Sequence, residues 1–179
     1  ANVDTSLLTS VSYSIDNGVT WVTTNNSSSE VIITTPEVSA GSIVLWKGEG
    51  KTYGQSTTIG STFSATCLHN VRGNAMSLLY GDSFKNNTTL KSNYTLLRLF
   101  KGNTRLIDAG DFILPSKTLI NSCYREMFMN CTALSTLTLG DGIVTIGNYA
   151  FEGCTKLATV VIPNSVTGIN ERAFNGCSS

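Results

Sequence analysis

The sequence predicts a mixed, β-rich chain: a small antiparallel β-sandwich-like N-terminal domain over residues 1–72, then a short solenoid of stacked repeats over 73–179. Three observations carry this. Among 179 residues there are 24 Thr, 21 Ser and 16 Asn against 13% charged residues, and β-branched Thr favours strands while Ser and Asn compete with helical backbone bonds. Residues 1–72 hold short alternating runs separated by turn chemistry, with no helical periodicity. The C-terminal half repeats itself at a fixed step of 23 residues.

In the N-terminal part the strand candidates are Ser10–Ile15, Thr20–Thr24, Glu30–Thr35, Ser42–Lys47 and Ser61–Leu68. Asn17-Gly18 between the first two is a strong hairpin signal. Pro36, Gly41, Gly48, Gly50, Gly54 and Gly60 punctuate the rest, and an immunoglobulin-like sandwich or half-barrel is the most economical arrangement. Ser14-x-Asp16-x-Gly18-x-Thr20-Trp21 fits the Asp-box pattern of sialidases and other glycan-handling propellers. It occurs once, in a chain too short for a propeller, and reads as a hairpin staple.

In the C-terminal part, Phe128-Met-Asn-Cys131-Thr-Ala-Leu134 recurs as Phe151-Glu-Gly-Cys154-Thr-Lys-Leu157 and as Phe174-Asn-Gly-Cys177-Ser-Ser179. Leu137, Leu139, Ile143, Ile146 and Ala150 are matched 23 residues later by Val160, Ile162, Val166, Ile169 and Ala173. An earlier, degenerate copy starts at Phe100-Lys-Gly-Asn103-Thr-Arg-Leu106. The section amounts to a cap plus about three coils, the last one incomplete. Leu134-x-x-Leu137-x-Leu139 alternates as a short strand, Gly140-Asp141-Gly142 breaks it, and Ile143-x-x-Ile146-x-x-x-Ala150-Phe151 has helical or 3₁₀ spacing. One such coil buries nothing alone, so neighbours must stack, with their strands in a parallel sheet. That is a leucine-rich-repeat architecture.

The phrases AFEGCTKLATVVIPNSVTGINERAFNGCSS and MFMNCTALSTLTLGDGIVTIGNYAFEGC resemble the BspA-like leucine-rich repeats of surface proteins from gut and oral anaerobic bacteria and some parasitic protists. The run from Gly73 to Phe100 is similar to the junction before such repeats in Bacteroides-type members. The resemblance implies a secreted or cell-surface adhesion role, with a host extracellular-matrix or surface protein as partner.

Equal numbers of acidic and basic residues, 12 each, give zero net charge and no basic field to hold a phosphate backbone, so nucleic acid is not expected as a partner. No stretch approaches the length of a membrane span, and the start ANVDTSLL lacks both Met and a basic leader, as expected of a processed chain or a fragment. His69 is the one histidine, so any catalytic histidine would have to be that residue, and its neighbours Cys67 and Asn70 do not supply a nucleophile and base. No nucleotide, zinc-protease or hydrolase motif occurs. No catalytic residue, metal or cofactor is assigned. Cys67, Cys123, Cys131, Cys154 and Cys177 are odd in number and lack C-x-x-C spacing. Cys131, Cys154 and Cys177 should lie one above another as buried thiols donating weakly to backbone carbonyls.

Thr136, Thr138, Thr159 and Val161 flank the inward strand residues and should point outward, joined by Asp108 from the first coil. These five are the candidate ligand-binding residues. Two rival readings exist: a carbohydrate-binding module, with Trp21 and Trp46 among its aromatic platforms, and a structural spacer of a larger surface protein.

Overall fold

A computed structural model describes residues 8–25, 34–50, 61–90, 93–114 and 124–179. It is β-rich with small sheets and little helix. Three strands, β1 (Leu8–Ser14), β2 (Val22–Asn25) and β3 (Leu45–Gly50), form an antiparallel sheet with β1 in the centre. Tyr13 lies opposite Val22 on one side and Trp46 on the other. The longer β1–β2 connection holds a tight turn at Asn17 and Gly18, whose φ values are 61° and 89°, closed by Val19 N–H donating to Asp16 O at 3.4 Å. β3 lies beside α1 (Ser77–Tyr80), with a bridge between Glu49 and Tyr80. Of the expected strands, Glu30–Thr35 falls mostly outside the described residues.

Ser61–Leu68 forms no strand. Phe63 donates its N–H to Leu99 O at 2.7 Å, a bond that recurs further on: Phe100 to Met127, Phe128 to Ala150 and Phe151 to Ala173. In each case the acceptor precedes the next phenylalanine. Phe63 therefore opens a ladder that continues through Phe100, Phe128, Phe151 and Phe174. The rings follow suit, with centroids 6.2, 5.3, 5.5 and 5.2 Å apart and the last three pairs stacked within 18° of parallel. Ring spacings near the distance between neighbouring strands mean that each coil lies directly on the one before it.

The backbone around each phenylalanine explains the stacking. Residues two before and two after it have positive φ: Arg98 and Gly102, Glu126 and Asn130, Tyr149 and Gly153, Arg172 and Gly176. Left-handed residues alternating with right-handed ones aim alternate N–H groups the same way. Thus Arg98, Phe100 and Gly102 donate to Arg125, Met127 and Met129, and Glu126, Phe128 and Asn130 donate to Asn148, Ala150 and Glu152. The intervening N–H groups close turns onto carbonyls three residues back, as Met129 does on Glu126 and Cys131 on Phe128. Both sets of N–H groups in these two coils are thereby paired, as a buried backbone demands. The helical spacing expected over Ile143–Phe151 is instead this ribbon of turns preceded by a strand, because Tyr149 sits at φ 57°, which no helix tolerates.

Short parallel strands complete the coils. β4 (His69–Asn70), β6 (Leu106–Ala109) and β8 (Thr136–Leu137) form one sheet, with Asn70 opposite Asp108 and Asp108 opposite Thr136. β5 (Gly73–Asn74) pairs with β7 (Phe112–Ile113), and β9 (Thr145–Ile146) with β10 (Gly168–Ile169). Inside lie Leu106, Phe128, Leu134, Ile146, Phe151 and Leu157, in a single apolar cluster that reaches from Val11 to Ala173. The N-terminal sheet joins it through Trp46, whose ring meets Phe63 at 5.1 Å, and through an ion pair of 2.7 Å between Lys47 Nζ and Asp82.

Gly153 has φ 73°, and a Cβ there would fall on the Asn130 side chain, whereas Gly140 faces open space. Gly153→Ala is expected to cost about 1–2 kcal/mol and Gly140→Ala to leave stability unchanged, as read from urea denaturation midpoints.

Candidate functional site

The five candidate residues fall into two groups. Asp108 and Thr136 are opposite each other in the parallel sheet, and both adjoin Gly110: a Cβ on that glycine would lie 3.1 Å from Asp108 Oδ1, 3.2 Å from Thr136 Cγ2 and 3.8 Å from Thr138 Oγ1. Gly110 N–H donates to Asp108 Oδ1 at 2.7 Å, which fixes the carboxylate. Asp108, Thr136 and Thr138 thus surround a shallow floor made by a residue without a side chain, with Thr136 and Thr138 exposed. Thr159 and Val161 lie one copy further on. Both are exposed, Val161 at 74%, but neither belongs to a paired strand.

The Asp-box hairpin is built as its residue types require. Asp16 accepts from Thr20 N–H at 2.9 and 3.1 Å, from Thr20 Oγ1 at 2.5 Å and from Ser14 Oγ at 2.7 Å. The Thr20 hydroxyl, the Thr20 amide and Ser14 hold its carboxyl down at about 2. Trp21 Nε1 donates to Gly18 O, and Lys47 Nζ sits 4.2 Å over the Trp21 ring. Trp46 packs between Tyr13 at 5.5 Å and Phe63. Both tryptophans are engaged in packing.

The thiols stack as the repeat implies. Cys131, Cys154 and Cys177 Sγ donate to Phe100, Phe128 and Phe151 O at 3.0, 3.1 and 3.3 Å. Burial pushes Cys131 up to about 12 and raises Cys154 further, so these are packing groups and poor nucleophiles. Asn103 holds the equivalent place one copy earlier and donates through Nδ2 to Phe63 O at 3.0 Å. The same Nδ2 lies 3.1 Å from His69 Nε2, while His69 Nδ1 is 3.1 Å from Cys67 O. Both ring nitrogens are thus committed to structure. Cys123 lies outside the described residues.

One charged cluster escaped the sequence reading. Glu126, 5% exposed, receives Arg98 Nε at 2.8 Å, Lys101 Nζ at 2.5 Å and Arg125 Nε at 3.1 Å. Burial alone would raise its carboxyl, but the hydrogen bonds from Lys101, Arg98 and Arg125 outweigh it and hold the group at about 2. Spacings of 28 and 25 residues hid the pairing, which becomes local only when two coils stack. No group of three or more His, Cys, Asp or Glu suited to a metal occurs among the described residues.

Stacked 23-residue copies joined by alternate backbone bonds define a repeat protein. The family model described as BspA type Leucine rich repeat region (6 copies) matches residues 108–179, so this part of the chain is similar to BspA-type leucine-rich repeats. No curated protein and no solved structure matches the chain. No helix among the described residues is long and apolar enough to cross a membrane.

A carboxyl lowered from 4.5 to about 2 on folding stabilises the protein above pH 4.5, and that contribution is lost as pH falls towards 2. Glu126→Gln should therefore cost about 2 kcal/mol at pH 7 and flatten the pH dependence of unfolding between pH 4.5 and 2. Any slope that remains there should shrink in Asp16→Asn, when both are followed by chemical denaturation across that range.

Proposed function

We propose that the chain is a non-catalytic binding protein, secreted or held at the cell surface, that adheres to a host matrix or surface protein through the outer face of its repeats. In this reading residues 73–179 form a leucine-rich-repeat solenoid and residues 1–72 a sandwich-like β domain. Phe63 N–H bonds Leu99 O and His69 pairs with Leu106 across that boundary. The observation that carries the proposal is the grouping of Asp108, Thr136 and Thr138 around Gly110 on a parallel sheet. A rigid, hydrogen-bonded platform presents these side chains at little ordering cost, which favours recognition. Thr159 and Val161 extend the same face by one coil.

A glycan-binding reading of the N-terminal part would need an open aromatic face. Trp46 is flanked by Tyr13 and Phe63, and Trp21 lies under Lys47, so the repeat face is preferred. The test is solid-phase binding of the chain to immobilised matrix proteins, mucins and polysaccharides, beside a variant carrying Thr136→Lys, Thr138→Lys and Thr159→Lys. Saturable binding to a matrix protein, weakened about tenfold or more in the variant with its circular dichroism unchanged, is expected. Binding that the variant retains in full would overturn the site, and silence across the panel would favour a spacer.

A further inference from the structure

Three cations converge on one carboxylate where the copies around Phe100 and Phe128 meet. Arg98 Nε, Lys101 Nζ and Arg125 Nε reach Glu126 at 2.8, 2.5 and 3.1 Å. The carboxylate side is closed off, its side chain 6% exposed, whereas the three cations keep 20, 30 and 26% of theirs open to solvent. One carboxylate balances one cation. Two positive charges are therefore in excess at this spot, in a chain whose net charge is zero. Arg125 is also held in place: its Nε is spent on Glu126, and its guanidinium carbon lies 5.3 Å from the Tyr149 ring centroid. An ion pair and an aromatic face thus fix the fork. Among the described residues its two terminal amino groups donate no hydrogen bond, and Lys101 Nζ has no partner besides Glu126.

We propose that Lys101 and Arg125 form a binding site for the acidic group of a short saccharide, a carboxylate or sulfate ester that bridges the Lys101 ammonium and the outer edge of the Arg125 guanidinium. Such an oxyanion accepts two parallel N–H bonds from the fork and a third from the point donor beside it, and it offsets charge that Glu126 leaves over. The surroundings select the carrier. A protein partner is anchored by large side chains buried at the centre of the contact, and none of the large exposed apolar residues falls within 94–103 or 124–131, the segments that carry the site. A long polyanion following the stack would run onto Glu152 and Glu171, which belong to the copies around Phe151 and Phe174. A short acidic saccharide meets neither obstacle. The site lies on other segments than the paired strands of Asp108 and Thr136, so it is a second ligand position, independent of the first.

The experiment titrates the isotope-labelled chain with three disaccharides, one bearing a uronic acid, one a sulfate ester and one neutral, and follows the Arg125 side-chain N–H and the ribbon amides by NMR at low and high salt. Saturable shifts centred on Lys101 and Arg125 with an acidic disaccharide, absent with the neutral one and weakened by salt, are expected. Arg125→Gln and Lys101→Gln each leave Glu126 two of its cations and should weaken binding about tenfold or more. Arg105→Gln, at an exposed arginine outside the cluster, should leave it unchanged. Circular dichroism reports whether each variant is folded, and the comparison among sugars in the unaltered chain decides the matter even where one is not. Equal binding of the neutral disaccharide, no saturation with either acidic one, or full affinity in a folded Arg125→Gln or Lys101→Gln variant would overturn the proposal. So would tighter binding of a glutamate-rich peptide than of either acidic disaccharide, because the carrier would then be a protein.

Discussion

The fold depends on a backbone constraint: the residues two before and two after Phe100, Phe128 and Phe151 occupy the left-handed region, so that alternate N–H groups face the next coil. Side chains other than glycine normally avoid that region at a cost of about 1 kcal/mol or more. Arg98, Glu126, Tyr149 and Arg172 nevertheless adopt it. A turn bond within the coil and a stacked ring beside it hold all four, and Arg98, Glu126 and Tyr149 each add a bond to the next coil. The coils are therefore cooperative, and contacts between neighbours stabilise each of them.

Much of this was legible in the sequence. The 23-residue step located Phe128, Phe151 and Phe174, predicted that Cys131, Cys154 and Cys177 would form a column, and marked Phe100 as a weaker copy. The Asp box gave its hairpin residue by residue, because those bonds span no more than four positions. What stayed hidden was whatever broke the period. Phe63 opens the ladder, yet its copy has Thr66 where the others have Cys or Asn, and its spacing to Phe100 is irregular. The one available signal was the order Phe63, then a polar or small residue three on, then His69 six on, in the places of Phe100, Asn103 and Leu106.

Helical spacing was misleading for a related reason. Apolar residues three and four apart satisfy a helix and also a ribbon of successive turns, since both bring such residues to one side. Backbone handedness decides between them, and side-chain polarity does not encode it. Asn130 at the place held by Gly102, Gly153 and Gly176 was the available hint, since asparagine is the side chain that best tolerates a left-handed backbone. The Glu126 cluster was invisible for another reason: beside its neighbour Arg125, its partners Arg98 and Lys101 come from a different coil, so no local pattern pairs them.

The column at the Cys position has a consequence for how the stack bears load. Asn103 and the three cysteines donate to the carbonyl of the phenylalanine in the coil before, and the ribbon N–H groups donate to carbonyls of the coil after, so both sets lie along the stacking direction. Tension applied between the two ends of the stack therefore pulls on these bonds end-on, one interface after another in series, instead of shearing many at once. Such a chain yields by peeling coil from coil.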